Sequence, residues 1–463
     1  MSASQRTSDT VVVIGGGLAG ASAVTTLRGE GFDGRLVLLA AEDEVPYIRP
    51  PLSKEFLAGT ADREDTWVEP QAWYAEHEVE LLRGRSATSI DVAEHVLTLD
   101  DHSRLPYSGA LLATGASPRR LPGDAFPDLT GVHYLRTLPS SEELRTALQV
   151  GGRRVVVIGS GWIGLEVAAA ARGYGNEVMV LSRDEVPLQA ALGAEIGAYF
   201  AQVHRRNGVT LRTGVQVTGF TGAHEGLHLG SLHAPHGGHG AVTGVLLHDG
   251  EEVPADVVVV GIGAVPNTDL ARGVGLVEDD GIVVDASLSA GLDVWAAGDV
   301  ARAFHPVLGQ HLRVEHWANA EHQGAAAARS MLGQAVSYDR VPYFYTDQFD
   351  LGMELSGYGP LMKQAKVVYR GDRASGEFIA FWVVLDGPTG AGGPTGARWA
   401  GGAPGSEGLA RPTGSTGRVV AGMNVNVWDV NPTIDALIAS GGAVDVERLT
   451  DPATPLADLV PAG

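Results

Sequence analysis

Residues 11–20 read Val-Val-Val-Ile-Gly-Gly-Gly-Leu-Ala-Gly and carry the strongest structural signal in the chain. The β-branched run at 11–14 predicts a strand of a parallel sheet that is buried on both faces. An apolar stretch that extends to Leu27 predicts a helix after the glycines, and residues 35–39 predict the next strand. This order of strand, glycine turn, helix and strand predicts a Rossmann-type unit that binds a dinucleotide.

Three glycines in this turn, Gly15, Gly17 and Gly20, have the spacing G-x-G-x-x-G. The first permits the tight turn, the second lets the backbone approach a pyrophosphate, and the third lets the helix pack against the strand. The start of the helix then offers N–H donors and a partial positive charge to the phosphates. Glu42 follows at about the 20-residue spacing of the acidic residue that holds a ribose hydroxyl.

The same plan returns 144 residues later (159 − 15). Residues 155–158 read Val-Val-Val-Ile, and Gly159, Gly161 and Gly164 repeat the glycine spacing. A helix is predicted over 165–174 and a strand over 177–181. Two complete units predict two bound dinucleotides, or one dinucleotide that both units bind. Flavoenzymes that use a nicotinamide have the first arrangement, with FAD in one unit and NAD(P)H in the other.

Further strand-like patterns indicate how the units are joined. Residues 255–263 and 294–299 look like buried strands, and we expect them to complete the sheet of the first unit. From about 331 an aromatic cluster and strands predicted at 365–370, 378–385 and 418–427 indicate a smaller α+β domain. The predicted fold class is therefore α/β, with two Rossmann-like domains and a C-terminal α+β domain. The predicted domain bounds are 1–115 with 251–330 for FAD, 116–250 for NAD(P), and 331–463.

Two segments are expected to be surface loops. Residues 221–240 are rich in glycine and contain His224, His228, His233, His236 and His239, whose spacing matches no defined metal site. We therefore predict a loop and no metal. Residues 387–417 are rich in glycine and proline, which predicts a flexible loop between the strands at 378–385 and 418–427.

Composition and charge exclude several classes of protein. The 463 residues contain no cysteine, which excludes disulfides, a dithiol relay, thiolate nucleophiles and a cluster held by cysteine on this chain. Lys plus Arg is 33 and Asp plus Glu is 55, so the net charge of −22 argues against nucleic-acid binding. The polar first ten residues and the short apolar runs predict no signal peptide and no membrane span, and hence a cytoplasmic location.

A series of further motifs is typical of one family. These motifs are Pro-Tyr-Ile-Arg-Pro-Pro-Leu-Ser-Lys at 46–54, Ala-Thr-Gly-Ala at 113–116, Tyr-Leu-Arg-Thr-Leu at 134–138, Gly-Trp-Ile-Gly-Leu-Glu at 161–166, Gly-Ile-Gly-Ala-Val-Pro-Asn at 261–267, Trp-Ala-Ala-Gly-Asp at 295–299, Glu-His-Trp-Ala-Asn-Ala at 315–320 and Tyr-Thr-Asp-Gln at 345–348. In this order they resemble the FAD-dependent NAD(P)H:ferredoxin reductases that reduce the [2Fe–2S] proteins of oxygenase and cytochrome P450 systems.

The resemblance implies roles for particular residues. Lys54 would lie by the flavin N5 edge and pair with Glu166, and these two are the expected catalytic residues. Asp299 would bond a ribityl hydroxyl, Arg136 would lie near the FAD phosphates or ribityl, and Trp317 would pack at the isoalloxazine. The other residues expected to contact the two cofactors, besides the six motif glycines and Glu42, are Ala19, Ala41, Arg49, Ala87, Thr114, Gly115, Ile163, Ser182, Arg183 and Gly263.

The resemblance also implies the reaction. A hydride would pass from NAD(P)H to FAD, and single electrons would pass from the flavin to a [2Fe–2S] ferredoxin, because the chain has no sulfur relay. The partner would be that ferredoxin, and the protein would be a monomer or a homodimer. Two alternatives remain open: a redox-responsive flavoprotein that resembles apoptosis-inducing factors, and a diaphorase that reduces quinones or dyes.

The residues after the second unit's last predicted strand bear on the choice of nicotinamide cofactor. Members of the family that use NADH carry an acidic residue where this chain has Ser182, and Arg183 could pair with a 2′-phosphate. These two residues favour NADPH. Asp184 and Glu185 have a spacing that is also compatible with NADH.

Overall fold

A computed structural model describes residues 9–222, 240–277, 280–386 and 415–461. The five histidines of the 221–240 segment and nearly all of the 387–417 segment lie outside the described residues, so the predictions for those loops stay predictions.

Up to residue 265 the described chain contains two strand–helix–strand segments and a run of short strands between them. The strands are β1 (Thr10–Ile14), β2 (Arg35–Ala40), β3 (Val79–Arg83), β4 (Ala87–Asp91), β5 (Val96–Leu99), β6 (Arg104–Pro106), β7 (Gly109–Leu112), β8 (Ala116–Pro118), β9 (Val132–His133), β10 (Arg154–Ile158), β11 (Glu177–Leu181), β12 (Val209–Arg212), β13 (Val217–Gly222), β14 (Val242–Leu247), β15 (Glu252–Pro254) and β16 (Val257–Val260). The helices are α1 (Leu18–Gly29), α2 (Gln71–Glu76), α3 (Leu138–Leu148), α4 (Trp162–Gly173), α5 (Gln189–Leu192) and α6 (Ala194–Arg206), with short 3₁₀ turns at Pro50–Ser53 and Glu64–Thr66.

The rest of the chain is richer in strands. These are β17 (Ala264–Pro266), β18 (Ile282–Val284), β19 (Ser289–Gly291), β20 (Val294–Ala296), β21 (Ala301–His305), β22 (Gln310–Leu312), β23 (Tyr343–Gln348), β24 (Leu351–Gly357), β25 (Lys366–Asp372), β26 (Glu377–Leu385), β27 (Thr416–Val425) and β28 (Ala443–Asp445). The helices are α7 (Asp269–Arg272), α8 (Trp317–Met331), α9 (Gly359–Met362), α10 (Asn431–Ser440) and α11 (Val446–Thr450), with 3₁₀ turns at Gly298–Val300 and Leu456–Leu459.

The first nucleotide-binding sheet has the strand order β19-β20-β7-β1-β2-β3. Strand β1 lies in its middle, parallel to β2 on one side and to β7 on the other, which explains why its valines are buried on both faces. Strand β20 pairs in parallel with β7, so the strand predicted at 294–299 completes this sheet as expected. The helix predicted after the first glycine turn is α1.

The second nucleotide-binding sheet has the order β12-β11-β10-β16-β9 and is parallel throughout. One prediction is wrong here: the strand expected at 255–263 in the first sheet is β16, and it pairs with β10 in the second sheet. Its four valines are buried on both faces, so the local pattern fits the centre of either sheet. Long-range pairing, which the pattern does not encode, decides between them.

The described chain forms two compact units. Among the described residues, the first unit contains those up to Tyr47, Val68–Gly115 and those from Pro266 onward, and the second contains Ile48–Trp67 and those between Ala116 and Val265. The boundary expected after residue 250 therefore lies after residue 265, because β16 belongs to the second sheet. The segment from Ile48 to Trp67 also groups with the second unit, which the sequence pattern did not indicate.

The C-terminal region forms a sheet of its own within the first compact unit. Its strands have the order β23-β24-β27-β26-β25, with β28 beside β27, and all neighbours run antiparallel. The strands predicted at 365–370, 378–385 and 418–427 correspond to β25, β26 and β27, and β26 pairs with β27 as expected. Helix α10 covers one face, where Ile434, Leu437 and Ile438 join the apolar core with Phe381.

Candidate functional site

The first glycine turn has the geometry that its sequence predicts. Gly15 has a φ of 127°, and a Cβ there would lie 2.1 Å from the carbonyl oxygen of Ala113. A Cβ on Gly20 would lie 2.0 Å from the carbonyl oxygen of Gly15, so both positions exclude a side chain for reasons of packing. A Cβ on Gly17 would meet nothing within 4 Å. The second glycine is therefore not required by the protein's own packing, which fits a position kept clear for a ligand's pyrophosphate.

The second glycine turn repeats this pattern closely. Gly159 has a φ of 105°, and a Cβ there would lie 2.2 Å from the carbonyl oxygen of Gly261. A Cβ on Gly164 would lie 2.2 Å from the carbonyl oxygen of Gly159, whereas a Cβ on Gly161 would meet nothing within 4 Å. Helices α1 and α4 begin directly after Gly17 and Gly161, and neither first turn has a capping side chain. Both turns thus present helix N–H groups to an open cradle, which fits a bound diphosphate.

The acidic residue of the first unit is held in place by a tyrosine. Glu42 follows β2 and the exposed Ala41, and the buried Tyr47 donates a hydrogen bond from its hydroxyl to Glu42 Oε2 at 2.5 Å. A charge-assisted bond of this kind fixes the direction of the carboxylate. Sequence reasoning predicted Glu42 but missed Tyr47, although the two residues are only five apart. Ala87, another expected contact, is the first residue of β4.

The corresponding position of the second unit is arranged differently. Ser182 is buried, and its hydroxyl lies 2.7 Å from the hydroxyl of Ser160 in the glycine turn. It also accepts a hydrogen bond from the backbone N–H of Asp184 at 3.2 Å. Arg183, Asp184 and Glu185 are exposed, and Arg183 makes no ion pair within the part of the chain that the structure describes. A buried serine bonded to the glycine turn and an adjacent unpaired cation therefore stand at the end of β11.

Lys54 and Glu166 form the buried ion pair that the resemblance implies. Lys54 Nζ lies 2.9 Å from Glu166 Oε1, and the two side chains are 8% and 4% exposed. Ser53, which sequence reasoning missed, donates from its hydroxyl to Glu166 Oε2 at 2.5 Å. All three residues belong to the second unit. Removing either charge would take the opposite charge away from a buried ionised group, which would destabilise the fold.

Two further hydrogen bonds shape the end of β7. Thr114 donates from Oγ1 to the carbonyl oxygen of Asn267 at 2.7 Å, and the Asn267 side-chain amide donates to the Thr114 carbonyl oxygen at 2.8 Å. Gly115 follows with a φ of 66°, and its carbonyl oxygen accepts from the Asn267 N–H. This reciprocal pairing holds the expected cofactor contacts Thr114 and Gly115 in one conformation.

Asp299 and Trp317 lie on neighbouring elements of the first unit. The Gly298–Val300 turn is tied to helix α8 by a 2.9 Å hydrogen bond from the Gly298 N–H to Oε1 of the buried Gln323. Trp317 is the first residue of α8, and its Nε1 is buried with no hydrogen-bond partner in the described residues. A buried indole N–H almost always has an acceptor. An acceptor on a bound cofactor would satisfy it, which fits a flavin beside Trp317.

Most of the other expected cofactor contacts lie in the second unit. Arg49 donates from Nη1 to the carbonyl oxygen of Arg136 at 2.6 Å, so these two arginines are adjacent. Gly263, with a φ of 98°, accepts from the N–H of Arg119, and a Cβ there would meet nothing within 4 Å. Ile163 is exposed in the first turn of α4. In the first unit, Ala19 lies buried in the second position of α1.

Within the described ranges, no helix combines the length and the apolar character that crossing a bilayer would take.

Comparisons with known proteins agree with this arrangement. A family model described as "Pyridine nucleotide-disulphide oxidoreductase" matches residues 9–324. The chain is 37% identical over 446 residues to the ferredoxin–NAD(+) reductase component of the anthranilate 1,2-dioxygenase system of Burkholderia cepacia, covering 96% of this chain and 97% of the relative. It is 34% identical to putidaredoxin reductase of Pseudomonas putida, covering 82% of this chain and 86% of the relative.

A solved structure extends the agreement to three dimensions. The covalent complex of putidaredoxin reductase with putidaredoxin matches with a TM-score of 0.83 at 30% identity, covering 98% of each chain. The crystal structure of a ferredoxin reductase for the CYP199A2 system from Rhodopseudomonas palustris matches with a TM-score of 0.82 at 31% identity. The chain therefore belongs to the pyridine nucleotide-disulphide oxidoreductase family, and within it to the ferredoxin reductases of oxygenase and cytochrome P450 systems.

Proposed function

We propose that this protein is a ferredoxin reductase that takes a hydride from a reduced nicotinamide nucleotide and delivers single electrons to a [2Fe–2S] ferredoxin. The observation that carries the proposal is the pair of open glycine cradles, at Gly17 and Gly161, each at the start of a helix. The full-length similarity to reductase components of oxygenase systems supports a ferredoxin as the acceptor.

FAD is the cofactor proposed for the first unit. When bound, FAD supplies the capacity to accept a hydride as two electrons and release them one at a time. In that unit Gly17 leaves room for the pyrophosphate, Glu42 is oriented to accept ribose hydroxyls, and the buried N–H of Trp317 offers a hydrogen bond. Lys54 and Glu166 are proposed as the catalytic pair, in which Glu166 holds the lysine side chain in one position.

NADPH is proposed as the preferred nucleotide of the second unit. A carboxylate after the strand accepts two ribose hydroxyls of NADH, but Ser182 directs its hydroxyl to Ser160. Arg183 is exposed and makes no ion pair in the described part of the chain, so its guanidinium is available to a 2′-phosphate. Guanidinium groups bind phosphates in a bidentate manner, whereas NADH carries only an uncharged hydroxyl at the 2′ position.

Rapid-mixing experiments test the function. The purified yellow protein is mixed with NADPH or NADH, and the loss of flavin absorbance is followed. The reduced protein is then mixed with [2Fe–2S] ferredoxins from oxygenase systems. We expect fast reduction by the nucleotide and fast electron transfer to at least one ferredoxin. A stable charge-transfer complex that reduces no ferredoxin would count against the proposal. So would a reduced protein that transfers electrons rapidly to quinones but to none of the ferredoxins.

The nucleotide preference has its own test. Arg183→Ala is expected to lower the ratio of kcat/KM for NADPH to that for NADH by about 5- to 30-fold, if the phosphate contact contributes about 1–2 kcal/mol. Arg206→Ala is the matched control, because Arg206 is an exposed arginine at the end of α6. A ratio that changes equally in both variants, or in neither, would refute the assignment of Arg183.

A further inference from the structure

A three-stranded sheet in the first unit brings three charged residues to one end. Strands β18 and β21 run parallel, and β22 runs antiparallel to β21. Asp280 comes just before β18 and Asp299 just before β21, so both stand at the starting end of the parallel pair. Arg313 comes just after β22, whose direction is opposite, and therefore stands at the same end. The strand topology therefore brings Arg313 to the end of the sheet where Asp280 and Asp299 lie.

Arg313 uses its guanidinium to connect three segments. Its Nε lies 3.0 Å from Asp280 Oδ2, and its Nη1 lies 2.5 Å from Glu315 Oε1. The same Nη1 donates to the carbonyl oxygen of Asp299 at 3.1 Å. The side chain is only 13% exposed, and its stem passes Gly281, whose φ is 136° and where a Cβ would lie 3.1 Å from Arg313 Cδ. The arginine is thus built into the fold.

The turn that Arg313 contacts is the one that carries Asp299. Its other side is fixed by the hydrogen bond from the Gly298 N–H to Gln323 of helix α8. Glu315, the second partner of Arg313, lies two residues before Trp317, where α8 begins. Arg313 therefore joins the Asp299 turn to the segment that leads into Trp317, and these are the two first-unit sites proposed for the ribityl chain and the isoalloxazine.

Charge gives Arg313 a second effect at the same place. Without the guanidinium, the carboxylates of Asp280 and Glu315 would lose the cation that pairs with both of them at this end of the sheet. Like charges at one end of the sheet repel one another, and they also oppose an incoming dinucleotide that carries two negative phosphate charges. Burial works against the charged form of Arg313, but its interactions with Asp280 and Glu315 outweigh this and raise its pKa.

We propose that Arg313 is a positioning residue for the flavin: it aligns the Asp299 turn with the start of α8 and offsets the negative charge there. The inference rests on the proposed function, because it takes FAD as the ligand of the first unit. Arg313 contacts Glu315 and the carbonyl oxygen of Asp299, so it acts through the segments that carry Asp299 and Trp317.

The test compares two arginine-to-glutamine variants of the full chain. Arg313→Gln removes the contacts of Arg313 with Asp280, Glu315 and the Asp299 carbonyl oxygen. Arg329→Gln is the matched control: Arg329 lies in the last turn of α8, and its exposed guanidinium is 2.9 Å from Glu30. Three quantities are measured: the Kd for FAD by fluorescence titration of the apoprotein, the visible circular dichroism of the bound flavin, and the Tm of the apoprotein. We expect Arg313→Gln to raise the Kd at least tenfold and to change the dichroism, and Arg329→Gln to keep both within twofold of the parent.

Arg313→Lys completes the set. It restores the charge without the planar fork that reaches two carboxylates and a carbonyl, so a Kd between those of the parent and Arg313→Gln is expected. If Arg313→Gln does not fold, an unchanged Kd in Arg313→Lys overturns the inference. So does a lowered apoprotein Tm with an unchanged Kd and dichroism in Arg313→Gln. A parent chain that binds no FAD at all would instead overturn the proposed function.

Discussion

The nucleotide site of the second unit can be tested by a pair of glycine substitutions only two residues apart. Gly159 and Gly161 both belong to the second glycine motif, but the structure assigns them opposite constraints. Gly159 is required by the protein's own packing, because its φ is 105° and a Cβ would lie 2.2 Å from the carbonyl oxygen of Gly261. Gly161 has a φ of −77° and open space where a Cβ would go, so only a ligand would need it to be glycine.

The expected changes in stability follow from these values. Gly159→Ala combines backbone strain of about 1–3 kcal/mol with overpacking of about 1–3 kcal/mol, and should lower the free energy of unfolding by about 2–6 kcal/mol. Gly161→Ala loses about 0.5–1 kcal/mol because alanine is a poorer N-cap than glycine, and gains about 0.4–1 kcal/mol from a less flexible unfolded chain. The free energy of unfolding of Gly161→Ala should therefore stay within about 1 kcal/mol of the parent.

Nucleotide binding, unlike stability, should be strongly affected by Gly161→Ala. The methyl group of Gly161→Ala would occupy the place where a pyrophosphate approaches the first turn of α4. Loss of one hydrogen bond to a charged group costs about 1.5–3 kcal/mol, which corresponds to a rise in Kd of about 10- to 150-fold. The Kd for NADP⁺ is measured by calorimetry on the FAD-loaded protein, and stability by urea unfolding. The reasoning is refuted if Gly161→Ala binds NADP⁺ as tightly as the parent, or if it is destabilised as much as Gly159→Ala.

Two other expectations concern stability. Ser53→Ala removes a hydrogen-bond donor to the buried carboxylate of Glu166 and should lower the free energy of unfolding by about 1.5–3 kcal/mol. Ser141→Ala, the control, loses a buried 2.8 Å hydrogen bond to a neutral carbonyl and should lower it by only about 0.5–1.5 kcal/mol. Equal losses in urea unfolding would show that the charge of the Glu166 carboxylate does not strengthen the bond. Bonds from Arg154 lower the pKa of Asp256 from 3.8 to about 2. Because this pKa is depressed in the folded state, its stabilisation is present above pH 3.8 and is lost as the pH falls towards 2. The urea midpoints of the parent and Asp256→Asn should therefore converge as the pH falls from 3.8 to about 2. A difference that stays constant over this range would argue against a stabilising charge on Asp256.

The two Rossmann units could be predicted from sequence because their signals are local. A glycine is needed where a neighbouring carbonyl leaves no room for Cβ, as at Gly15 and Gly159, and that requirement shows in the sequence. The helix predicted over 165–174 is α4, which begins earlier, at Trp162, because the glycine before it already serves as the N-cap. Such boundaries depend on one or two backbone angles, which composition does not report.

Pairing between distant segments could not be predicted in the same way. Strand β16 has the same buried, β-branched pattern as β1 and β10, and nothing local decides which sheet receives it. Side-chain contacts between distant residues could not be predicted for the same reason. Ser53 and Glu166 are 113 residues apart, so the hydrogen bond between them appears only when the 48–67 segment packs within the second unit. The Lys54–Glu166 pair was anticipated only because a family resemblance supplied it.

The complete absence of cysteine distinguishes this chain's chemistry from that suggested by its family's name. Disulfide reductases with the same two-unit plan pass electrons through a cysteine pair, and such a pair also selects its substrate by covalent exchange. No residue among the 463 can do this. Selection of the acceptor therefore depends on noncovalent docking alone. Because the chain carries a net charge of −22, long-range attraction would not favour an acidic ferredoxin, so specificity must come from local contacts at the docking surface.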